Sequence, residues 1–250
     1  MSFSNYHTHT VFCDGNDTPE HMVKRAIELG MVELGFSAHS DLCRDFEGYK
    51  RTIRDLKEKY RDKISILLGI EYDYYFDVDT SDYDYVIGGV HYLKKSGKLL
   101  SLDISREGFL PLADDYYGGD IYALCEDYFE TLTGVYEKTH CDIVAHFDLV
   151  TKYNRGNVIF DPSHPRYVKA ADAALSALMK KPVIFEINTG VIARGYKDEP
   201  YPQMRFIDKI LAGGCDTILN SDCHNADYLT ESFEKYKHLA TLNRLPLKRA

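Results

Sequence analysis

Long hydrophobic runs are missing: no apolar stretch approaches the roughly 20 residues that a membrane-spanning helix needs, and the N-terminus lacks a basic region followed by an apolar core. Membrane insertion and a secretory leader are therefore not expected, and the chain is expected to stay in the cytoplasm. Also missing is any Cys-x-x-Cys pair. The six cysteines, Cys13, Cys43, Cys125, Cys141, Cys215 and Cys223, are scattered, which argues against a disulfide frame or zinc knuckle and for free thiols in a reducing compartment. Positive charge is in deficit, with 30 Lys plus Arg against 39 Asp plus Glu and a formal charge of −9. A polyanion is repelled by such a surface, so nucleic acid is not an expected partner. A small phosphate ester is not excluded, because a bound metal cluster sets the local field whatever the global sign. No linker rich in Pro, Gly or Ser and no internal repeat divides the 250 residues, of which 44% are hydrophobic and 28% charged. One globular domain over 1–250 is expected.

What is present is an alternation of short apolar runs with amphipathic stretches. The first run ends at Tyr6-His7-Thr8-His9, followed by a loop over 11–17 that holds Asp14-Gly15. Thr18-Pro19-Glu20 then opens a helix, with Thr as N-cap, Pro at the first helical position and Gly30 as the stop. A second run, 32–36, leads to Ser37-Ala38-His39-Ser40-Asp41; a charged helix is expected over 49–60; a third run, 64–70, arrives at Glu71. Residues 72–85 mix Tyr and Asp densely, which reads either as a solvated loop or as a substrate collar, Asp pairing with a cationic group and Tyr stacking on a ring. The fourth run, 85–90, ends at His91, and residues 92–120 read as the longest irregular segment, a lid or pocket insertion.

Ile121, Leu124, Tyr128, Leu132 and Val135 recur at helical spacing and predict one helix over 121–139. The fifth run, 142–145, ends at His146; a loop with Lys152, Asn154, Arg155 and Gly156 precedes a helix over 165–180. The sixth run, 182–187, enters Glu186-Ile187-Asn188-Thr189-Gly190 and leads to Arg194. A helix over 203–211, a seventh run over 217–220 ending at Asp222-Cys223-His224, and a closing helix over 232–243 complete the chain. Seven strand-helix alternations favour an α/β fold with a parallel sheet closed into a (β/α)7 barrel. A doubly wound open sheet is the rival, but it would cluster ligand residues at one switch point, whereas here they come from six of the seven strand ends.

Those ligand-type residues are His7, His9, Asp14, His39, Glu71, His91, His146, Asp222 and His224. Alternating strand residues point the same way, so His7 and His9 can grip one cation. Six imidazoles with three carboxylates suit Zn, Mn or Fe and are too rich in nitrogen for Mg or Ca. Nine ligands exceed what one ion can use and match a cluster of two or three metals with a bridging carboxylate. The other four histidines, His21, His140, His164 and His238, are expected at the surface.

The motifs His7-Thr8-His9, His39-Ser40-Asp41, the lone His91 and His146 after their strands, and Asp222-Cys223-His224 together resemble the polymerase and histidinol phosphatase (PHP) superfamily over nearly the whole chain. The resemblance implies a distorted, TIM-like (β/α)7 barrel with a di- or trinuclear site. His7, His9, Glu71 and Asp222 would hold one metal, Glu71, His91 and His146 a second, and Asp14, His39 and His224 a third; many relatives carry His in place of Asp14. Such a cluster is an anion trap that makes hydroxide near neutral pH to attack phosphorus. Phosphoryl oxygens turned away from the metals need further donors. Arg155 and Arg194, in loops expected at the barrel mouth, offer forks matched to phosphate, with Arg44 and Lys152 as weaker candidates. Similar enzymes that cleave histidinol phosphate use arginines from these regions. A free-standing barrel with Glu186-Ile187-Asn188-Thr189-Gly190 resembles those members, which implies L-histidinol phosphate as substrate, L-histidinol and phosphate as products, and a step in histidine biosynthesis. Another small phosphate ester, a phosphotyrosine peptide, and a non-catalytic metal-binding regulatory barrel are the alternatives.

Overall fold

The apolar runs are realised as parallel strands in the computed structural model, which describes residues 3–246; the ends of the domain expected over 1–250 lie outside the described residues. The strands are β1 (Ser4–Asn5), β2 (Glu33–His39), β3 (Ser65–Asp73), β4 (Tyr85–Gly89), a hairpin of β5 (Tyr92–Lys95) and β6 (Lys98–Ser101), then β7 (Ile143–Val144), β8 (Ile184–Asn188) and β9 (Thr217–Asn220). Seven of them form one sheet in the order β1-β2-β3-β4-β7-β8-β9, parallel throughout. The sheet nearly closes on itself. At the seam, Thr8 bridges Cys223, His9 N donates to Cys223 O at 2.9 Å, and Asn5 Nδ2 donates to Ser221 Oγ at 2.6 Å. The barrel of seven strands with crossover helices is the expected fold.

Capping residues start the helices that cover it. Thr18 accepts from His21 N ahead of Pro19–Glu28, Asp45 from Gly48 N ahead of Phe46–Lys59, and Asp120 from Tyr122 N and Ala123 N ahead of Ile121–Thr133. Because helices cover the outer face and the barrel lumen the inner one, the strands are apolar on both sides. In β3, Ile66, Leu68 and Ile70 face the helices, while Leu67 turns inward to Tyr6, Tyr85, Ile87 and Ile143. Gly69 makes room there: a Cβ on it would lie 2.2 Å from Tyr85 Cζ.

Four expectations are corrected. His39 and Glu71 lie inside β2 and β3, not just beyond them, and they stand side by side in register. Residues 92–120 are not irregular; they form the β5–β6 hairpin and two short helices, Arg106–Phe109 and Leu112–Tyr117. The helix over 121–139 breaks at Gly134, where the Tyr74 ring would come within 3.2 Å of a Cβ, leaving Ile121–Thr133 and Val135–Thr139. The closing helix shrinks to Phe233–Tyr236 and a 3-10 turn, Lys237–Leu239. There the chain is diverted to the sheet: Thr241 N donates to Thr217 Oγ1 at 3.0 Å and Leu242 bridges Ile218. No helix among the described residues is long and apolar enough to cross a membrane.

Candidate metal centre

Strand alternation brings Glu71 and Asp73 of β3, and Glu186 and Asn188 of β8, to the inner face of the sheet at its carboxyl end, the same end to which His7 and His9 lead from β1. Glu71 sits at the focus. Its Oε1 lies 3.0 Å from His146 Nε2 and 3.1 Å from His91 Nε2, and its Oε2 lies 3.0 Å from His39 Nδ1, 3.1 Å from His7 Nε2 and 3.4 Å from His9 Nε2. Asp222 Oδ1 closes the ring at 3.1 Å from His9 Nε2 and 3.6 Å from His7 Nε2. Asp14 lies outside it, 3.0 Å from His224 Nε2 and 3.6 Å from His39 Nε2. All nine candidate ligands thus meet at one place.

Hydrogen bonds alone do not account for this geometry. His7 Nδ1 donates to Glu186 Oε1 at 2.6 Å, which leaves Nε2 of a neutral ring as a bare lone pair aimed at two carboxylates. His91 Nδ1 likewise meets Asp73 Oδ2 at 3.3 Å, and its Nε2 faces His146 Nε2 at 3.1 Å. His7 Nε2, His9 Nε2 and Glu71 Oε2 are buried without any hydrogen-bond partner. Lone pairs 3.0–3.6 Å apart are what a tetrahedral ion with bonds of about 2.0–2.2 Å requires between its ligands. The donors fall into overlapping sets: His7, His9 and Glu71; His7, His146 and Asp222; His39, Glu71 and His91; and His9, Asp14, His39 and His224. The residues fit divalent transition metals.

Charges in the cup are set by one another. Burial opposes ionisation of Glu71, but His7, His39, His91 and the contact with His146 hold its carboxyl well below the usual range. Burial also opposes that of Asp222, which Arg194 and His7 outweigh. At His7 burial works against a charge, and Glu186, Glu71 and Asp222 together lift it well above the usual imidazole range, so that with no cation in the cup the ring holds a second proton on Nε2, in the place an ion would take. His9, by contrast, is pushed down to about 3 by burial and by His39 and His224 beside it.

Around the ligands stands a second set of groups whose roles sequence reading missed. Glu186 accepts not only from His7 but from Asn220 Nδ2 at 3.0 Å, Asn188 Nδ2 at 3.0 Å and His146 N at 2.9 Å. Asp73 accepts from His91 N at 2.7 Å. Such outer partners fix ring orientation and tautomer. The signal was available: a carboxylate inside an apolar strand, at the same parity as a ligand or an Asn, marks a polar face of the lumen. Of the Tyr/Asp stretch 72–85, only Asp73 reaches the cup. Asp77, Asp82 and Asp84 pair with Lys138, Lys50 and Lys57 at the surface, so the collar reading does not hold.

The cup opens into a cavity of about 380 Å³ whose wall includes Asp41, Leu42, Tyr92, Asp103, Ile104, Lys152, Arg194 and Tyr196. Arg194 is part-buried, donating to Asp222 O at 2.7 Å and Asp222 Oδ2 at 3.0 Å, with His224 Nδ1 at 3.0 Å. Arg155 is not among the lining residues. Its fork is engaged by Asp198 at 2.6 and 3.1 Å and by Gly195 O at 3.2 Å. A larger cleft of about 760 Å³ lies at the opposite end of the strands. Its acids are already engaged, Asp84 by Leu68 N and Lys57 and Asp142 by Val86 N, so it lacks the unpartnered groups of the mouth. Among the remaining histidines, His21 pairs with Asp17, His164 stacks on Tyr122, and His140 and His238 are exposed.

Comparison with known proteins agrees with this picture. A family model described as "PHP domain" matches residues 5–190. The "Probable histidinol-phosphatase" of Schizosaccharomyces pombe is 26% identical over 240 residues, spanning 82% of this chain and 74% of that protein. The "Histidinol-phosphatase" of Bacillus subtilis is 24% identical over 266 residues, spanning 92% and 96%. Among solved structures, HisK of Listeria monocytogenes matches with a TM-score of 0.79 at 20% identity, over 93% of this chain and 99% of that one. Histidinol phosphate phosphatase of Lactococcus lactis, complexed with Zn, L-histidinol and phosphate, matches with a TM-score of 0.66 at 21% identity, over 95% and 92%. At these identities the structural likeness speaks to the fold.

Proposed function

The chain belongs to the PHP domain family, and from that premise we propose that it is a metal-dependent phosphomonoesterase that hydrolyses L-histidinol phosphate to L-histidinol and phosphate. The observation that carries this reading is Glu71, one buried carboxylate approached by five imidazoles at the base of an open cavity. The curated relatives named histidinol-phosphatase, matched over most of their length, support the substrate.

We assign two or three divalent ions, Zn, Mn or Fe: His7, His9, Glu71 and Asp222 hold one, Glu71, His91 and His146 a second, and Asp14, His39 and His224 a third. Bound there, such ions supply the Lewis acidity that lowers the pKa of water and neutralises phosphoryl charge. Glu186 and Asp73 keep the rings of His7 and His91 turned with Nε2 toward the cup. Arg194 donates to phosphoryl oxygens from its place beside Asp222, a charge-assisted contact. Lys152 stands on the same wall as a second cation. Arg155 reaches a phosphate by exchanging Asp198 for it, and an exposed pair of that kind is worth only about 0–1 kcal/mol. The six free cysteines support a place in a reducing cytoplasm.

A panel of phosphate esters, run beside elemental analysis of the protein, tests the reading. L-histidinol phosphate is expected to be cleaved with a kcat/KM well above that for p-nitrophenyl phosphate. Parity between the two removes the substrate; no phosphate released from any ester by metal-replete protein removes the enzyme.

A further inference from the structure

In-line displacement at phosphorus puts the attacking and departing oxygens on opposite sides. With water attacking from the side of the cup, the ester oxygen departs toward the open cavity, and an alkoxide leaves slowly unless a proton meets it. The cavity wall has few protons to give. Its imidazoles, His39, His91, His146 and His224, are candidate ligands that keep a lone pair for an ion. Arg194 is committed to Asp222, and a guanidinium does not release its protons. Tyr92 Oη already donates to Asp41 at 2.6 Å. Lys152 is different. It closes the 3-10 turn Leu149–Thr151, so the loop that follows His146 brings its ammonium to the wall. The side chain is only 13% exposed. Nζ donates to the carbonyl of Asp103 at 2.8 Å and lies 3.4 Å from Asp103 Oδ2, which leaves one of the three N–H groups of an ammonium without a partner among the described residues. The Tyr196 ring centroid stands 5.5 Å from Nζ. Burial opposes ionisation of Asp103, but His91 and then Lys152 hold its carboxyl below the usual range, so the cup and the ammonium act on the same carboxylate.

We propose that Lys152 is the general acid of the reaction, protonating the ester oxygen as its bond to phosphorus breaks. The proposal rests on the phosphatase reading and supplies the proton donor that reading lacks. The oxygen of water bonds to phosphorus and gives one proton to solvent. The electron pair of the P–O ester bond goes to the departing oxygen, which takes a proton from the Lys152 ammonium; the amine left beside Asp103 takes one back from solvent. An alkoxide is more basic than an amine, so the transfer to it runs downhill. A role of this kind is selective for the leaving group. An alkoxide needs the proton, whereas p-nitrophenolate is stable without one at neutral pH. A cation that only holds the phosphoryl group serves both esters alike.

The experiment measures kcat/KM for L-histidinol phosphate and for p-nitrophenyl phosphate with the metal-loaded full-length protein and with Lys152→Met and Lys152→Arg, each checked for metal content. Lys152→Arg keeps the positive charge and gives up no proton, so it separates acid catalysis from phosphate binding. Both variants are expected to lose about 10²–10⁴-fold on the alkyl ester and less than about tenfold on the nitrophenyl ester. An equal fall on the two esters overturns the proposal and leaves the phosphatase reading standing, as does full activity of Lys152→Arg on the alkyl ester. A selective fall in Tyr196→Phe with none in Lys152→Arg moves the role to Tyr196 and overturns it as well. If Lys152→Met folds poorly or loses metal, a series of substituted phenyl phosphates decides: a shallow dependence of rate on leaving-group basicity in the parent that steepens in Lys152→Arg upholds the acid, and a steep dependence in the parent overturns it. Metal-replete parent protein that cleaves no ester at all removes the phosphatase reading and the acid together.

Discussion

The two ends of the barrel lumen are built from the same strands and solve opposite problems. At the amino end, Tyr6, Leu67, Tyr85, Ile87, Ile143, Ile184 and Ile218 fill the space, and the tyrosine hydroxyls are matched within the protein. Tyr6 Oη donates to Glu33, Leu245 N donates to Tyr6 Oη at 3.1 Å, and Tyr85 Oη donates to the carbonyls of Tyr6 and Phe36. At the carboxyl end the polar atoms are just as buried, but they face one another as lone pairs. The tyrosine hydroxyls of the plug are satisfied without help; the mouth leaves lone pairs that cations would complete. Stability therefore resides at one end and chemistry at the other, and the two should separate under mutation.

Glu71→Gln tests the mouth most severely, because it weakens a shared ligand. Hydrolysis is expected to fall by about 10³-fold or more, with metal content reduced on elemental analysis. A variant that keeps its metals and its rate would remove Glu71 from the centre. Chelation comes next. Stripping the ions is expected to lower Tm by about 5–10 °C, the equivalent of about 2.7 kcal/mol at a hundredfold excess of ion over Kd, and zinc should restore it. An unchanged melting curve would mean that the mouth does not need ions. Arg194→Ala should cost about 10–150-fold in kcat/KM by losing a charge-assisted contact of about 1.5–3 kcal/mol, with metals retained. Arg155→Ala should cost less than this, since its fork begins on Asp198; the reverse order would exchange the two roles. At the plug, Tyr85→Phe should reduce stability by about 1–2 kcal/mol, read as a Tm lowered by about 2–8 °C, and leave kcat and metal content as they were. A fall in kcat there would show that the two ends are coupled.

What could be read from the chain followed from how far each inference had to reach. His7 and His9 were legible because a period of two is a local property, and the barrel because seven such units repeat. His39 and Glu71 were legible as members of the cup though not as strand residues, since an apolar run is seen to end at its first polar residue even when that residue points into a lumen. The direction of Arg155 was not legible, because its partner Asp198 lies in a separate loop 43 positions on. The acidic collar over 72–85 misled for a related reason: the lysines that neutralise Asp77, Asp82 and Asp84 come from helices elsewhere in the chain. The bond from Tyr92 Oη to Asp41 was not legible either, because it joins the β5–β6 hairpin to the loop after β2 across 51 positions.

The seam between β1 and β9 is thin, a single bridge at Thr8 and Cys223 reinforced by a few side-chain bonds. His7 and His9 stand on one side of it and Asp222 and His224 on the other, more than two hundred residues apart along the chain. An ion held by both sides is a clasp joining the two ends of the polypeptide. Its effect is that of a crosslink closing a very long loop, for which the entropy removed from the unfolded chain is greatest, though it grows only as the logarithm of length.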